Sequence, residues 1–357
     1  MPRLVSVILP CFNAGRMLRP ALLSVLRQSH PDIEIICVDN NSTDGSAAAA
    51  REILTEGNRP FTLINCPAQG ANHARNLGFT TARGDFIQWM DADDQLGRDK
   101  IARQVAALET VPRDDIAYGD WSSYRTAPGK PDIVDHHALR QEEDQVARTL
   151  AGVWYPPHLY LLRRAAADRL QENQAWWPAR TVATDVEYSA LAALLGLRFR
   201  HVPGARVRYN IWSDGQTSNA TPYPRRVASL RAIFQRLRQF VEAGHAGVGL
   251  SARRKVLLYQ GWDTWRMPPG SVTVVKLSGR RFAVRRRTDE HQIELRPREA
   301  EIVRQMAGGT GALVSLHHAL VLEARIPELA GDHVTIVRTI ERLQREGMLE
   351  RVAQGDA

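Results

Sequence analysis

The sequence has few cysteines and no long apolar stretch. Only Cys11, Cys37 and Cys66 carry a thiol among the 357 residues, and their spacing fits neither a zinc knuckle nor a disulfide framework. We therefore predict three small buried side chains in a reducing compartment. No apolar run reaches about 18 residues, which argues against a membrane span, and residues 1–10 lack the pattern of a signal peptide. These absences predict a cytoplasmic protein.

The common glycine-rich phosphate loops are also missing. No G-x-G-x-x-G follows the first strand pattern, and G-x-x-x-x-G-K-[ST] occurs nowhere in the chain. The glycine-rich run at residues 308–311 follows a helical pattern and is typical of a turn. These absences argue against the dinucleotide dehydrogenases and ATPases that depend on such loops.

Basic residues outnumber acidic ones. The chain has 47 Lys and Arg against 39 Asp and Glu, a formal net charge of +8 at pH 7. This excess favours an anionic partner, which could be a nucleotide, a phospholipid surface, a nucleic acid or an acidic substrate. Composition alone does not choose among them.

Short apolar runs alternate with helical patterns over the first 120 residues. Strands are predicted at residues 4–9, 33–38, 61–64 and 85–90, with helices between them. This alternation predicts a mostly parallel α/β sheet covered on both faces. Polar insertions follow three of the strands, where ligands bind in such sheets; they are residues 10–13, 39–44 and 91–94.

The pattern changes twice beyond residue 121. Two basic amphipathic helices are predicted over residues 225–266, and Met-Pro-Pro-Gly at 267–270 is typical of a linker. Short strands are then predicted at 271–276, 281–287, 292–295 and 348–352, with helices at 297–306, 313–323 and 333–346. We predict three parts, which are an α/β domain at 1–220, a helical extension and linker at 221–270, and a small winged-helix-like α+β domain at 271–357.

Two carboxylates directly follow the fourth predicted strand, at Asp91 and Asp93. Carboxylates two residues apart on such a turn can converge on one divalent cation, and Mg²⁺ or Mn²⁺ needs only a few protein oxygens when it also binds substrate phosphates. The pair is a weak signal by itself, because acidic turns after strands are common.

Five segments in order make a stronger signal. They are 5–13 (VSVILPCFN), 38–45 (VDNNSTDG), 70–78 (GANHARNLG), 84–87 (GDFI) and 91–94 (DADD). Through these segments the chain resembles, over residues 4–220, inverting family 2 glycosyltransferases of the GT-A fold.

The resemblance implies a nucleotide-sugar site and a divalent cation, Mn²⁺ or Mg²⁺. It places Asp93 on the metal, with Asp91 as a second candidate ligand. For Arg75 an exposed helix charge is the alternative interpretation, and for Asp44 we favour helix capping. The donor-binding residues that it implies are Pro10, Phe12, Asn13, Asp39, Arg75, Asn76, Asp91 and Asp93.

The reaction that the resemblance implies also needs a base, because a sugar hydroxyl is a poor nucleophile at neutral pH. The family places an acid at the start of a helix about ninety residues after the acidic pair, and Asp185 occupies that position. Glu187 is the lesser candidate. A carboxylate that only stabilises the helix N-terminus is the alternative for Asp185.

Three tryptophans are predicted near the acceptor. Trp176 and Trp177 precede Asp185, and indole rings stack on sugar faces, although a core aromatic pair is the equal alternative. Trp212 stands where the family often has a metal- or diphosphate-binding His, which weakens the case for a strict metal requirement. His201 is predicted to be structural.

The C-terminal region is basic, with six Lys and Arg between residues 276 and 287. A solvated strand edge is the simplest interpretation, and contact with phospholipids of the inner membrane face is another. The order of elements resembles PqqD-like modules, which implies leader-peptide binding and a peptide acceptor. A DNA-reading wing is disfavoured, because no helix there shows a base-reading face.

These observations predict a cytoplasmic glycosyltransferase of the inverting, hexosyl-transferring class, with peripheral contact to the inner membrane face as a further option. The donor would be a nucleotide-diphosphate sugar, with UDP favoured. The acceptor stays open between a surface-glycan or lipid-linked intermediate and a peptide. The alternative is a non-catalytic peptide- or nucleic-acid-binding protein built on a degenerate transferase domain, which the intact set of aspartates disfavours. The sugar, the linkage and the oligomeric state are not predicted.

Overall fold

The structure is a computed structural model, and it describes most of the chain up to residue 259. The described residues are 3–126, 132–150, 153, 155–212, 223–259, 265–266, 272–277, 282–297, 299–300, 303, 339, 342–343 and 345–351. The predicted turn at 308–311, linker at 267–270 and helix at 313–323 lie outside them, as do most residues of the helices predicted at 297–306 and 333–346.

Strands and helices alternate over the first 110 residues, as the sequence predicts. The elements there are β1 (Val5–Cys11), α1 (Leu18–Leu26), β2 (Ile33–Asp39), α2 (Ser46–Glu56), β3 (Phe61–Asn65), α3 (Ala71–Thr81), β4 (Phe86–Trp89), β5 (Gln95–Leu96) and α4 (Lys100–Thr110).

Longer and less regular elements follow. They are β6 (Ile116–Thr126), β7 (Ile133–His137), α5 (Gln145–Leu150), β8 (Leu161–Arg163), α6 (Arg164–Glu172), α7 (Thr184–Leu194), β9 (Phe199–Trp212), α8 (Tyr223–Glu242) and α9 (Ala252–Tyr259). After them come β10 (Trp265–Arg266), β11 (Val272–Lys276), β12 (Phe282–Arg286), β13 (Gln292–Leu295) and β14 (Glu350–Arg351). The prediction of helix up to residue 266 is therefore wrong at its end, where β10 pairs with β14.

Nine of the described strands form one sheet in the order β3-β2-β1-β4-β8-β6-β9-β5, with β7 paired to β6. The pairs β2–β3, β1–β2, β1–β4 and β6–β9 are parallel. The remaining pairs are antiparallel, because β5, β7 and β8 return along the sheet. The predicted α/β fold is confirmed, and the sequence did not predict these three antiparallel strands.

The two faces of the sheet are covered by different helices. Alternate residues of β1 and β2, from Val5 to Cys37, share one buried cluster with apolar residues of α1, α2 and α4. Helix α3 packs on the opposite face. An added Cβ at Gly78 of α3 would lie 2.5 Å from Ile8 Cγ2 and 3.0 Å from Val38 Cγ2. Glycine therefore lets α3 approach the strands closely.

The chain divides into two compact units. The first consists of Met1–Val146, Trp154–Ser229 and Gln239–Val248, and the second of Ala147–Val153, Leu230–Arg238 and Gly249–Ala357. The nine-stranded sheet lies in the first unit. In the second, β11, β12 and β13 form an antiparallel sheet. The predicted boundaries at 220 and 270 stay a prediction. Within the described residues, no helix combines the length and hydropathy that a bilayer span requires.

Candidate active site

The polar loops that follow β1 and β2 are tied to each other at the carboxyl end of the sheet. The Asn13 side chain accepts a hydrogen bond from the Thr43 amide at 2.8 Å, and the Asn13 amide donates to Ser42 Oγ at 3.1 Å. Asp44 accepts from the amides of Gly15 and Ser46, each at 3.0 Å. Asp44 therefore holds the start of α2, in keeping with its predicted capping role.

Asp39 ends β2 with a buried carboxylate that is only partly satisfied. Its Oδ2 accepts from the Ser42 amide at 3.4 Å, whereas its Oδ1 is buried and has no hydrogen-bond partner in the described part of the chain. A buried acceptor without a partner costs free energy, so such an atom points to a ligand. Pro10 is half-buried in β1, and the side chain of Phe12 is 53% exposed. This edge can therefore receive a flat polar ring.

Asn40 connects this edge to the start of α3, and the sequence analysis missed it. Its side-chain amide donates to the carbonyls of Cys66 and Ala68 at 2.9 and 2.7 Å. Its Oδ1 accepts from the Gly70 amide at 2.7 Å.

The three free cysteines are buried, as predicted.

Helix α3 carries Arg75 into the interior. Arg75 is 7% exposed and donates to Asp91 Oδ1 at 2.8 Å and to Asn72 Oδ1 at 2.9 Å. The alternative of an exposed helix charge is therefore wrong. The Asn76 amide, predicted on the donor, donates to the Trp176 carbonyl at 2.9 Å.

Three aspartates, Asp91, Asp93 and Asp94, follow β4. Burial opposes the charge on Asp91, but Arg75 and His158 together outweigh it, and the pKa of Asp91 falls well below its usual range. Burial, then the Asp91 charge, raises the pKa of Asp93 to about 7. Burial, then Asp93 and Asp91, also raises the pKa of Asp94 far above its usual range. Arg75 thus favours the charged form of Asp91 alone, and burial and mutual repulsion favour the protonated forms of Asp93 and Asp94.

His158 lies beside these carboxylates, and the sequence analysis treated its segment only as a loop. Its Nδ1 is 3.2 Å from Asp94 Oδ2 and 3.9 Å from Asp91 Oδ2, and among the described residues neither ring nitrogen has a partner in hydrogen-bonding geometry. Burial lowers the pKa of His158, which favours the neutral ring that binds metals. Asp91, Asp94 and His158 offer ligand atoms within 4.8 Å of one another, so they can hold a cation.

Hydrogen bonds to the backbone hold this cluster in place. Gln88 and Gln104 donate to the carbonyls of His158 and Leu159, each at 2.9 Å. The Asn210 amide donates to Asp94 Oδ1 at 2.7 Å, and the Asn210 side chain donates to the Asp93 carbonyl at 2.6 Å. The turn that carries His158 is therefore fixed by residues from distant parts of the sequence.

Asp185 lies in the first turn of α7. The preceding Ala183 has φ 58°, a left-handed conformation that costs a non-glycine residue about 1–2 kcal/mol. Burial raises the pKa of Asp185 to about 6, and the charge of Asp91 contributes to the rise. Glu187, the lesser candidate, is fully buried and bonded to Arg180 at 3.1 Å, so it is occupied as an ion pair.

The tryptophans differ from the predicted acceptor platform. Trp176 is 1% exposed, and the Tyr188 ring stacks on it at 4.1 Å between centroids. The platform prediction for Trp176 is therefore wrong, because its ring has no free face for a sugar. Trp177 is half-buried, and the side chain of Trp212 lies outside the described residues. His201 bonds to Asp120 at 2.9 Å, in keeping with a structural role.

Tyr209 on β9 is another residue that the sequence analysis missed. Its ring lies parallel to that of His158 at 6.2 Å, and the edge of Trp121 meets it at 5.8 Å. Burial, then the charges of Asp185 and of the three aspartates after β4, raise the pKa of Tyr209, so it stays protonated next to them.

Comparisons with known proteins agree with this arrangement. Residues 6–170 match the family model described as "Glycosyl transferase family 2". The N-terminal part of the chain, a little under half of its length, is therefore similar to family 2 glycosyltransferases.

The relatives are themselves named glycosyltransferases. An "Uncharacterized glycosyltransferase" of Haemophilus influenzae is 37% identical over 102 residues, 29% of this chain and 41% of that protein. "Glycosyltransferase GlyG" of Streptococcus pneumoniae is 30% identical over 129 residues, 36% and 42% of the two chains. A Campylobacter jejuni protein named "GalNAc(5)-diNAcBac-PP-undecaprenol beta-1,3-glucosyltransferase" is 36% identical over 97 residues, 27% and 31%. The chain thus spans less than half of each of these relatives.

Solved structures show the same fold. S. aureus TarS 1-349 in complex with UDP aligns with a TM-score of 0.53 and 17% identity, over 71% of this chain and 69% of that one. TarS 1-349 with UDP-GlcNAc gives 0.52 and 18%, over 71% and 70%. At this identity the similarity shows the GT-A-like fold alone. The resemblance of residues 271–357 to PqqD-like modules stays a prediction.

Proposed function

We propose that the chain is an inverting glycosyltransferase that moves a hexosyl group from a nucleotide-diphosphate sugar to a hydroxyl acceptor. The observation that carries the proposal is a carboxylate whose pKa is raised to about 6, Asp185, within electrostatic reach of Asp91 at the donor edge. A group with this pKa is mostly ionised at neutral pH and still basic enough to take a proton.

The donor would bind along the carboxyl ends of β1, β2 and β4. Asp39 Oδ1, buried without a partner, would accept a hydrogen bond from the base or ribose. Pro10 and Phe12 would frame the base, and Asn13 would keep the two loops together. UDP is the first nucleotide to test, since the TarS structures with the same fold carry UDP and UDP-GlcNAc in their names.

A divalent cation, Mn²⁺ or Mg²⁺, fits the residues after β4. They supply hard oxygen donors, their charges are mutually repulsive, and the unpartnered nitrogens of His158 lie beside them. Asp93 and Asp91 would hold the ion towards the donor, and Asp94 and His158 are further candidates. When bound, such an ion stabilises the negative charge that develops on a leaving diphosphate.

The chemistry then follows from Asp185. It would accept the proton of the acceptor hydroxyl as that oxygen forms its bond to the anomeric carbon. The bond from that carbon to the diphosphate oxygen breaks in the same displacement, and the attack from the opposite side inverts the anomeric centre. Arg75 holds Asp91 ionised beside the site.

Two classes of acceptor compete. A lipid-linked or surface-glycan intermediate is favoured by the name of the Campylobacter relative, and it agrees with a cytoplasmic enzyme that contacts the inner membrane face. A peptide acceptor, recognised by residues 271–357, is the other class, and a free edge of the sheet β11–β13 would be its binding mode.

The first experiment is a calorimetric titration with UDP, with GDP as the control, in the presence and absence of Mn²⁺. We expect UDP-selective binding that Mn²⁺ strengthens. UDP-selective binding with the same affinity in the presence and absence of Mn²⁺ would contradict the cation site. Absence of binding by both nucleotides would contradict the donor site and favour the non-catalytic peptide- or nucleic-acid-binding alternative.

A further inference from the structure

Three side chains on one face of α3 reach the loop that precedes Asp185. Asn72, Arg75 and Asn76 are spaced i, i+3 and i+4, so they point the same way from the helix. The Asn76 side chain donates through Nδ2 to the Trp176 carbonyl at 2.9 Å. The Asn72 side chain donates through Nδ2 to the carbonyls of Trp177 and Arg180 at 2.9 and 3.2 Å. These bonds fasten the backbone of residues 176–180 to α3.

The ring of Trp176 continues the connection to α7. The Arg75 guanidinium lies 4.4 Å from one Trp176 ring centroid, and the Tyr188 ring stacks on the same indole at 4.1 Å and 20°. Tyr188 lies three residues after Asp185 in α7, on the same side of the helix. Its hydroxyl accepts from Trp89 Nε1 at 3.0 Å.

The same contacts lead back to the donor side. Arg75 donates to Asp91 at 2.8 Å. A continuous path therefore runs from Asp91 through Arg75, Trp176 and Tyr188 to the helix that carries Asp185. Between Asp91 and Asp185 the path is buried, since Asn72, Arg75, Trp176 and Tyr188 are all at most 7% exposed.

The loop needs such fastening. Gln174 has φ 51° and Ala183 has φ 58°, so the segment begins and ends with a strained left-handed residue that is not glycine. Strain of this kind persists only where surrounding contacts enforce it, and the carbonyls of Trp176, Trp177 and Arg180 supply the acceptors for those contacts.

We infer that Asn72, Asn76 and Trp176 are positioning residues that fix α7, and with it Asp185, relative to Asp91. The inference rests on the proposed function, because it assigns these residues an effect on the rate that passes through Asp185. It also gives Asn76 and Trp176 roles other than the donor and acceptor contacts that the sequence suggested.

The test uses the full chain and follows UDP release from UDP-N-acetylglucosamine and UDP-glucose, with UDP binding measured by calorimetry. Asn76→Ala and Trp176→Leu should lower kcat about 10- to 100-fold, because a shift of about 1 Å in a catalytic group can cost that much. The Kd for UDP should stay within about twofold. Trp176→Phe should recover most of the rate lost in Trp176→Leu, since the indole nitrogen has no hydrogen-bond partner and a phenyl ring can keep the stack.

Two controls separate positioning from general damage. Asn173→Ala removes a comparable amide-to-carbonyl bond, from Asn173 to Arg169 at 2.8 Å, outside the path, and should keep the wild-type rate. Adding Asn76→Ala to Asp185→Asn should cost little further rate, because a residue that acts only through Asp185 has no effect once the base is gone. Melting temperatures identify any variant that fails to fold. Asn76 is half-buried, so we expect its substitution to lower the melting temperature less than substitution of buried Trp176.

The outcomes are distinct. Wild-type kcat in Asn76→Ala, or full additivity with Asp185→Asn, would overturn the positioning role and leave the proposed function intact. Weaker UDP binding in proportion to the lost rate would make Asn76 a donor ligand instead. A wild-type protein that releases no UDP from either sugar nucleotide, or an Asp185→Asn variant at full rate, would overturn the proposed function, and the positioning role with it.

Discussion

At the residue scale, the environment of Asp185 decides what this carboxylate can do. Burial raises its pKa to about 6, and a positioned base contributes about 10²–10⁴-fold to a rate. We expect Asp185→Asn to lower the rate of sugar transfer, or of donor hydrolysis, by at least about 100-fold. Binding of UDP should stay within about twofold, as calorimetry would measure, because the amide keeps the shape of the side chain.

The pH dependence of the wild-type rate gives a second check on the same residue. A base with a raised pKa is protonated, and therefore inactive, below that value. With donor and Mn²⁺ saturating, kcat should decline as the pH falls through about 6 and be level above it. The residual activity of Asp185→Asn should not show this decline. A decline of the wild-type kcat only near pH 4, or the same decline near pH 6 in the variant, would show that another group titrates.

Sequence reasoning located Asp39, Asp91 and Asp93 because each ends a predicted strand or lies within a few residues of its end. Asp91 and Asp93 directly follow a strand, and Asp39 ends one, so their places at the sheet edge follow from a local pattern. His158 joins Asp91 and Asp94 only because Gln88 and Gln104 hold its turn from other elements. No local pattern carries that information. The burial of Trp176 is likewise decided by Tyr188 and Arg75, which lie far from it in sequence.

At the element scale, α3 must fit closely on both sides, since it packs on the sheet through Gly78 and fastens residues 176–180 through Asn72 and Asn76. In Gly78→Ala the new methyl would lie 2.5 Å from Ile8 Cγ2. Overpacking of this kind costs about 1–3 kcal/mol and outweighs the gain of up to about 1 kcal/mol in helix propensity. Urea unfolding should therefore show a lower free energy of unfolding.

Gly249→Ala is the matched control, because no atom of the described residues lies within 4 Å of a Cβ at that position. It should leave the free energy of unfolding nearly unchanged. Equal stability of Gly78→Ala and the wild type would mean that α3 can move away from β1 and β2 without loss, contrary to the close packing described above.

The elements themselves were predictable where their periodicity is strong. The runs of β1 and β2 are buried on both faces and read as continuous apolar segments, so parallel central strands follow from the sequence. Strands β5 and β8 have only two and three residues. Such short segments carry no period, and their antiparallel pairing is set by the longer strands around them.

At the scale of the whole molecule, the formal net charge is +8, and the donor site, which is rich in aspartate, does not account for this excess of basic residues. In the second unit, Lys276 and Arg287 are exposed, and half-buried Arg285 donates to the neutral side chain of Gln292. Arg286, by contrast, is paired with Asp289 at 2.6 Å. The strands β11 and β12 and the residue after them thus present positive charge that is available to an anionic surface.

This charge leads to the last prediction, which concerns membrane contact. The triple variant Lys276→Glu, Arg285→Glu and Arg287→Glu should bind vesicles containing phosphatidylglycerol at least about 100-fold more weakly than the wild type, because each basic residue near such a surface contributes about 1 kcal/mol. Co-sedimentation would measure this, with phosphatidylcholine vesicles as the uncharged reference. The control triple Arg51→Glu, Arg98→Glu and Arg113→Glu changes the net charge equally at exposed sites of the first unit. Equal losses in both triples would attribute binding to net charge alone, whereas a loss confined to the first would place the contact on β11 and β12 and favour a lipid-linked acceptor over a soluble peptide.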